Sequence, residues 1–381
     1  MRILFDASSM PARRAGAGMV MYHLGRALAE HAGEHPLLLL DRFGAFADLA
    51  GRRGVSIQRP PRLNRALRFG WEQTALPLAA GRWQADVVYG LHHSLPVLPA
   101  GRAGVVLVHD LTFDLLPRRY TATRRWYMRA ITRIGLLRAD RVIVPSQWVR
   151  RALVRRYGVA EDTIHVVALA PPPAMQRVTN VELLAAARSR YLLPDRFLLS
   201  VGTLEPGKNR ETVVRALRQL AAQGIDLPLV VVGQQGWLQD RAAPLQMGDA
   251  LRYLGYVPDD DLPALYTLAE AFVFPSWLEG FGLPPLEALA CGTPVVSSDR
   301  PAMPEVLGGA VLYADPRRPA AWAEALECVT GDRTLRQSLV SRGLEQVKQY
   351  SWERAARETL AVFEAALADR VGSFDTERRA R

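Results

Sequence analysis

Two glutamates stand eight positions apart in the stretch EGFGLPPLE, which covers residues 279–287. Between Glu279 and Glu287 lie two glycines, which lack a Cβ and let the backbone approach a ligand closely. Pro284 and Pro285 fit the first turn of a helix, where a missing N–H costs nothing. The free N–H groups at such a helix start form an anion site. We therefore expect a phosphate at this loop and hydroxyl groups of the same ligand at the two carboxylates, as a nucleotide sugar would provide.

Apolar strands alternate with segments of helical periodicity along the chain. In the first half the predicted strands are RILFDAS, HPLLLLD, DVVYG, GVVLVHD and DRVIVPS. After the prolines at 171–173 the alternation restarts with RFLLSVG, LPLVVVGQQG, LRYLGYV, AFVFPS and TPVVSSD. This alternation predicts parallel sheets covered by helices on both faces. The sequence therefore predicts an α/β protein with two doubly wound, Rossmann-like domains.

The domain boundaries follow from the prolines, which form a stiff linker. We expect an N-terminal domain over residues 1–170 and a C-terminal domain over residues 171–352. Residues 353–368 should form a helix that crosses back to the N-terminal domain, and residues 369–381 a flexible tail. Because ligands of open α/β sheets lie beyond the carboxyl ends of the strands, site residues should follow strand ends.

Composition and charge limit the class of protein. Of the 381 residues, 49% are hydrophobic and 23% charged, which suits a soluble protein with a sizeable core. Residues 1–170 carry 25 arginines against 12 acidic residues, whereas the rest of the chain carries 23 basic residues against 26 acidic ones. The basic half predicts an anionic partner. Cys291 and Cys328 are too few for a disulfide framework, so a reducing compartment is expected.

Several motifs occur in order along nearly the whole chain and resemble those of the family 4 retaining glycosyltransferases. SWLEGFGLPPLEALACGTPVVSSD resembles the signature with two glutamates, and VGTLEPGKN and PAMPEVLGGAVLYADP resemble the blocks beside it. GAGMVMYHLGRAL, WEQTALP, VHDLTFDLLP and ADRVIVPSQWVRRAL are similar to the amino-terminal blocks. The resemblance implies the GT-B fold, with two Rossmann-like domains facing a cleft. It also implies metal-independent, retaining transfer of a hexose from a nucleotide sugar, without a further cofactor.

The resemblance assigns roles residue by residue. Glu279 should contact the donor sugar, Lys208 the diphosphate, and His109 should face the reacting sugar, so these three are the predicted catalytic residues. Glu287 should accept the ribose hydroxyls. The other implied donor-binding residues are Gly16, Gly18, Ser146, Gly202, Thr203, Asn209, Gly233, Tyr256, Val257, Gly280, Phe281, Gly282 and Leu283.

Two of these positions have structural alternatives, and one block departs from the family pattern. His109 could form a structural pair with Asp110, and Ser146 could simply cap the following helix. Gly207 and Thr203 stand where family members have arginines, so Lys208 is the cation evident in this block. The strength or the source of phosphate binding is therefore open. Arg150 or another arginine of the first half is the candidate replacement.

Metal binding and three other functions receive less support from the sequence. The aspartates at 259–261 follow a proline and are predicted to cap a helix rather than to bind a metal. A cofactor-dependent phosphorylase needs a Schiff-base lysine, and Lys208 and Lys348 are the only lysines. A nucleotide-sugar epimerase would lack EGFGLPPLE in this form. A nucleic-acid-binding protein, which the net charge of +10 would suit, would need a recognition module, and the sequence contains none.

A basic, aromatic segment, PRRYTATRRWYMRAITRIGLLRADR, covers residues 117–141. Such a helix can lie on an anionic membrane surface, or it can pack its apolar stripe on its own domain and remain solvated. Since the donor site belongs to the second half, we expect the first half to bind a glycan or lipid-linked acceptor. The expected location is cytoplasmic, at the inner membrane face. The expected donor is GDP-mannose, followed by UDP- or dTDP-sugars, in the synthesis of bacterial surface polysaccharide.

Overall fold

A computed structural model of the protein describes residues 1–63, 65–98, 100–234, 236 and 251–379. The chain divides into two compact units. The first unit comprises Met1–Leu115, Tyr120–Leu169 and Ser351–Arg381, and the second comprises Leu116–Arg119 and Ala170–Tyr350. Residues 380 and 381, at the end of the predicted tail, lie outside the described residues.

The first unit is built on a parallel sheet. Its strands are β1 (Ile3–Asp6), β2 (Leu37–Leu40), β3 (Val55–Gln58), β4 (Val87–Gly90), β5 (Ala103–Leu107), β6 (Arg141–Val144) and β7 (Ile164–Val166). Their order within the described residues is β3-β2-β1-β4-β5-β6-β7, and every pair is parallel. The helices of this unit are α1 (Ala17–Glu30), α2 (Arg65–Trp83), α3 (Thr112–Leu115), α4 (Ala122–Arg138), α5 (Gln147–Tyr157) and α13 (Trp352–Arg379).

Apolar strands and one long terminal helix form the core of the first unit. All four leucines of β2 are buried, as strands covered on both faces require. The helix α13 belongs to this unit. It extends to Arg379, beyond the predicted helix at residues 353–368 and into the segment predicted as a flexible tail. Phe363 of α13 packs edge-to-face on Tyr89 with ring centroids 5.0 Å apart, and Trp352 stacks on His23. Aromatic side chains of the terminal helix thus form part of the core.

The second unit contains another parallel sheet. Its strands are β8 (Leu198–Val201), β9 (Leu229–Val232), β10 (Leu251–Gly255), β11 (Ala271–Phe274), β12 (Val295–Ser298) and β13 (Leu312–Ala314). Its helices are α6 (Val181–Arg190), α7 (Arg210–Ala221), α8 (Leu262–Leu268), α9 (Leu283–Ala290), α10 (Met303–Leu307), α11 (Pro319–Gly331) and α12 (Arg333–Val347). The strand order in the described part of the chain is β10-β9-β8-β11-β12-β13. The prediction of α/β units with doubly wound parallel sheets is confirmed.

The order of the second sheet determines where a ligand can bind. The winding direction reverses between β8 and β11, which are neighbours although β9 and β10 lie between them in the sequence. The loops that leave the carboxyl ends of two such strands diverge and open a crevice. Here these loops are residues 202–209 after β8 and residues 275–282 after β11. The first loop contains Lys208 and the second contains Glu279, both of which are predicted catalytic residues.

Candidate functional site

The loop after β11 leads directly into α9. Gly282 is the residue before this helix and has φ 97°, and a Cβ at this position would collide with the side chain of Met303. Only glycine adopts this backbone without strain. Pro284 and Pro285 lie in the first turn, as predicted. The stretch EGFGLPPLE therefore forms a tight loop that presents the start of a helix at the crevice.

Lys208 and Glu279 form an ion pair that joins the two loops. Lys208 Nζ lies 2.6 Å from Glu279 Oε1, and the side chains are only 14% and 16% exposed. The backbone N–H of Trp277 also donates to the carbonyl oxygen of Gly207 at 3.0 Å, which fixes the loops against each other. The structure thus brings two of the three predicted catalytic residues into direct contact.

The charges of this pair depend on their surroundings. Burial lowers the pKa of the Lys208 ammonium, an effect that Glu279 opposes. Burial alone would raise the pKa of Glu279, but Lys208 and Arg119 hold it below its usual value. Glu279 is therefore ionised in the neutral range, and two opposite charges share a poorly solvated site.

Arg210 is a residue of this site that the sequence analysis missed. It is buried at the start of α7, and its guanidinium donates to Ser200 Oγ at 3.1 Å and to the carbonyl oxygens of Thr203 and Gly202 at 3.0 and 2.6 Å. It therefore fixes the conformation of the loop after β8. A cation in the first turn of a helix opposes the helix dipole. That unfavourable placement is the sequence signal for a tertiary role.

Arg119 is a second missed cation, and it comes from the segment Leu116–Arg119 that packs with the second unit. Its guanidinium forms an ion pair with Glu205, and the two side chains are 10% and 2% exposed. A Cβ built on Gly207 would lie only 2.6 Å from Arg119 Nε and 2.7 Å from Cζ. The guanidinium thus lies directly on the backbone of Gly207.

Glu287, the second glutamate of the motif, lies on α9 and is 8% exposed. The hydroxyl of Tyr266 in α8 donates to its Oε2 at 2.8 Å. Burial raises the pKa of Glu287 to about 7, against the opposing effect of the Tyr266 hydrogen bond. The role of this carboxyl group towards ribose hydroxyls stays a prediction.

Three other predicted donor-binding residues already have structural contacts. The Asn209 side chain donates to the carbonyl oxygens of Pro275 and Pro316 at 3.1 and 2.9 Å and thereby connects the loop after β8 to the loop after β11. Ser146 Oγ accepts from the N–H of Val149 at 3.3 Å and caps α5. Phe281 packs its ring inward, which leaves its backbone as the part suited to a ligand.

Four further predicted donor residues of the second unit lie at the ends of β8, β9 and β10. Gly202 and Gly233 are packed so closely that a Cβ on Gly233 would collide with the carbonyl oxygen of Gly202. Val257 is buried, whereas Tyr256 is 43% exposed beside it. All four residues follow strands on one side of the reversal between β8 and β11. Their role in donor binding stays a prediction.

In the first unit, His109 follows β5, and its ring hydrogen-bonds to the main chain rather than to the neighbouring Asp110. Its Nε2 lies 2.9 Å from the carbonyl oxygen of Leu91, to which it donates. Asp110 Oδ1 accepts instead from the N–H and the hydroxyl of Thr112, at 2.7 and 2.6 Å. Burial lowers the pKa of His109, so the imidazole is neutral near pH 7.

Gly16 and Gly18 lie at the start of α1, after the loop that follows β1. Gly16 has φ 52° and has no neighbouring atom within 4 Å of where a Cβ would lie. A Cβ on Gly18 would lie 2.9 Å from the ring of Pro11. Gly16 is therefore selected by backbone conformation and Gly18 by packing, and their contact with a donor stays a prediction.

The aspartates at 259–261 require a correction. Asp261 precedes α8, but its carboxylate does not cap that helix. It accepts instead from the Arg190 guanidinium at 2.9 Å and from the Tyr191 hydroxyl at 2.5 Å, which connects α6 to α8. The predicted cap is therefore wrong for Asp261, because its carboxylate hydrogen-bonds to residues at the end of another helix instead. The described ranges contain no cluster of histidine, cysteine or acidic residues that could hold a metal ion.

Family matches cover both halves of the chain. Residues 14–169 match Glycosyltransferase Family 4, and residues 187–346 match Glycosyl transferases group 1. O-antigen chain mannosyltransferase B of Escherichia coli is 34% identical over 264 residues, which are 68% of this chain and 69% of that protein. Serotype-specific mannosyltransferase WbdA of Escherichia coli is 27% identical over 403 residues, covering 95% of this chain. The chain spans only 48% of the length of that relative.

Solved structures share the fold. Sucrose-phosphate synthase from Thermosynechococcus elongatus superposes with a TM-score of 0.74 at 19% identity, covering 97% of this chain and 99% of that one. Anabaena HepE in complex with UDP and glucose gives a TM-score of 0.74 at 17% identity, covering 96% and 99%. WaaG, a glycosyltransferase of lipopolysaccharide biosynthesis, gives 0.69 at 13% identity, covering 95% and 99%. These likenesses confirm the predicted GT-B fold of two Rossmann-like domains.

Proposed function

Because the chain belongs to the glycosyltransferases of family 4 and group 1, we propose that it moves a hexose from a nucleotide sugar to a glycan or lipid-linked acceptor. GDP-mannose is the expected donor, with UDP- and dTDP-sugars next, and the product is a bacterial surface polysaccharide. Two relatives named as mannosyltransferases support the sugar, and HepE in complex with UDP and glucose supports a nucleotide-sugar donor. The observation that carries the proposal is the Lys208–Glu279 pair at the strand reversal of the second sheet.

The proposed chemistry assigns different tasks to the two charges. The sugar hydroxyls bind Glu279, and the diphosphate binds Lys208 and the N–H groups of Gly282 and Leu283 at the start of α9. The bond from the anomeric carbon to the diphosphate breaks as the bond to the acceptor oxygen forms on the same face. The acceptor proton passes to the leaving diphosphate. The protein therefore supplies orientation and charge stabilisation rather than a nucleophile.

The proposed reaction is independent of a divalent metal. Lys208, together with the positive end of the α9 dipole, provides the positive charge that a leaving diphosphate needs. Arg210 supports this arrangement, because its hydrogen bonds to Ser200 of β8 and to two carbonyl oxygens of the following loop fix the backbone that leads to Lys208.

The acceptor side is proposed to lie at an anionic membrane surface. Among the described residues, no helix is both long enough and apolar enough to span a bilayer. The helix α4 buries Ile131 and Gly135, whereas Trp126 is 73% and Leu137 84% exposed. Arg133 is also exposed. Positions 126, 133 and 137 lie on one face of the helix, so this face is basic and apolar, as in helices that bind anionic lipid.

A donor screen by thermal shift tests the proposed function. GDP-mannose, UDP-glucose, UDP-GlcNAc and dTDP-rhamnose are compared at equal concentration with the wild type and with Lys208→Ala. A true donor at a hundredfold excess over its Kd stabilises the folded state by about 2.7 kcal/mol. We expect GDP-mannose to raise the Tm of the wild type and to raise that of the variant less. If no nucleotide sugar changes the Tm or binds in calorimetry, the proposed function is wrong.

A further inference from the structure

The position of Arg119 on Gly207 places a second cation beside Lys208. Glycine at 207 leaves no side chain in the space that the guanidinium occupies, since a Cβ would lie 2.6 Å from Arg119 Nε, 2.7 Å from Cζ and 2.8 Å from Cδ. Atoms in real structures do not approach a Cβ that closely. A residue larger than glycine at position 207 would therefore force the Arg119 side chain out of its observed position.

The charge of Arg119 acts on the Lys208–Glu279 pair. After burial and Glu279, it is the next contribution to the pKa of Lys208, which it lowers. It also contributes to the lowered pKa of Glu279. Two ion pairs thus lie at this corner of the crevice: Lys208 with Glu279, and Arg119 with the buried Glu205.

We propose that Arg119 binds the diphosphate of the donor together with Lys208, and that Gly207 is the residue that admits its guanidinium. This inference rests on the proposed function. A guanidinium can hold a carboxylate along one edge and a phosphate along another, and its planar fork matches phosphate oxygens better than an ammonium does. Glu205, in the loop after β8, pairs with one edge of the guanidinium.

This assignment answers the question that Gly207 raises in the sequence. The position beside Lys208 carries no cationic side chain of its own, and the cation arrives from a segment 86 residues before Glu205. Arg150, the other candidate, is engaged elsewhere, since its guanidinium donates to the carbonyl oxygen of Glu161 at 3.1 Å and faces the carboxylate of the same residue. Its partner is within the first unit.

Calorimetric titration with GDP and UDP, and with guanosine and uridine, tests the proposal. Arg119→Ala should weaken binding of the nucleoside diphosphate that the wild type prefers by about tenfold or more, because charge-assisted hydrogen bonds are lost. The matching nucleoside, which has no phosphate, should bind equally to both proteins. Gly207→Ala should mimic the loss, because its methyl group displaces the guanidinium. The double variant Arg119→Ala/Gly207→Arg should recover affinity, since it restores a guanidinium at the same place.

Two controls separate ligand binding from a structural role. Arg215→Ala removes an exposed arginine that pairs with Glu211 on α7, and it should leave both affinities unchanged. Glu205→Gln removes the partner of Arg119 but keeps the guanidinium. If the pair only holds the segment in place, Glu205→Gln and Arg119→Ala will weaken diphosphate binding equally.

The outcomes distinguish this inference from the proposed function. Loss of diphosphate affinity in Arg119→Ala, retention in Glu205→Gln and recovery in the double variant support it. Equal affinity of the wild type and Arg119→Ala for the diphosphate overturns the role of Arg119 and leaves the proposed function intact. A wild type that binds neither nucleoside diphosphates nor nucleotide sugars overturns both.

Discussion

The ammonium of Lys208 lies 2.6 Å from Oε1 of Glu279, although the two residues are 71 positions apart in the chain. Each follows one of the two strands between which the sheet reverses its winding direction. In the absence of a ligand, each side chain neutralises the other. A donor would replace these contacts, because its diphosphate competes for the ammonium and its sugar hydroxyls compete for the carboxylate. The pair therefore holds both proposed donor-binding groups at the crevice without leaving a buried charge uncompensated.

Removing either member of this pair should abolish most of the activity. We expect Lys208→Ala and Glu279→Ala to lower kcat by about a hundred- to a thousandfold, because each removes an electrostatic contact to the transition state. Initial rates of product formation, with circular dichroism to verify folding, provide the measurement. Lys348→Ala is the matched control, since Lys348 is the other lysine of the chain and is 69% exposed. Near-normal turnover in folded Lys208→Ala protein would contradict the assignment.

Glu287 should make the stability of the protein depend on pH. Its pKa is raised by burial to about 7 in the folded state, against an ordinary value of 4.5. Between these two values the folded state holds a proton that the unfolded state has released. The protonated carboxyl therefore adds to the free energy of unfolding. This stabilisation is complete below pH 4.5 and is lost as the pH rises through 7.

The variant Glu287→Gln cannot titrate and isolates this effect. Between about pH 5 and about pH 8 its free energy of unfolding should rise relative to that of the wild type, on the order of 2–3 kcal/mol. Urea unfolding of both proteins at the two pH values gives the difference, in which all other titrating groups cancel. A difference that stays constant over this range would show that the Glu287 carboxyl titrates near its ordinary pKa.

The sequence predicts the local parts of the site better than its tertiary contacts. The loop and helix of EGFGLPPLE follow from rules that act within a few residues, and they are found as predicted, with Gly282 before α9 and the prolines in its first turn. Asp261 satisfies the same local rules for a cap, yet it pairs with Arg190 and Tyr191. Local rules cannot exclude a competing partner from another helix.

The two arginines that the sequence analysis missed differ in whether the sequence contains a local signal for them. Arg210 follows Asn209 directly, and its position at a helix start is electrostatically unfavourable unless it has other partners. The block therefore contains a local signal for this residue. Arg119 has no such local signal. Its contact with Gly207 depends on how the segment Leu116–Arg119 packs, and only the tertiary structure shows this.

Activity should persist without divalent metal. In the proposed mechanism Lys208 and the start of α9 supply positive charge for the leaving diphosphate, so excess EDTA should leave the initial rate largely unchanged. The measurement is the rate with the identified donor before and after exhaustive chelation, with added Mg²⁺ and Mn²⁺ in parallel. Complete loss on chelation, followed by recovery with either metal, would show that the proposed metal independence is wrong.

The exposed face of α4 should bind anionic lipid. Arg129 is unsuitable for testing this, because it pairs with the buried Asp114 and its replacement would disturb the first unit. Trp126 and Arg133 are exposed on the same face, so Trp126→Ala/Arg133→Gln removes an aromatic side chain and a charge from that face. Each arginine near an anionic surface contributes about 1 kcal/mol.

Flotation with phosphatidylglycerol-containing liposomes at low salt measures this binding. The wild type should float, and the Trp126→Ala/Arg133→Gln protein should show about tenfold weaker partitioning. High salt should release the wild type, because counterions screen the attraction. Arg218→Gln, which removes an exposed charge from α7 in the second unit, should bind like the wild type. All three proteins should bind the donor equally, since the changes lie outside the proposed donor site. If the wild type does not float at low salt, the proposed membrane contact fails, and a soluble glycan becomes the better candidate for the acceptor.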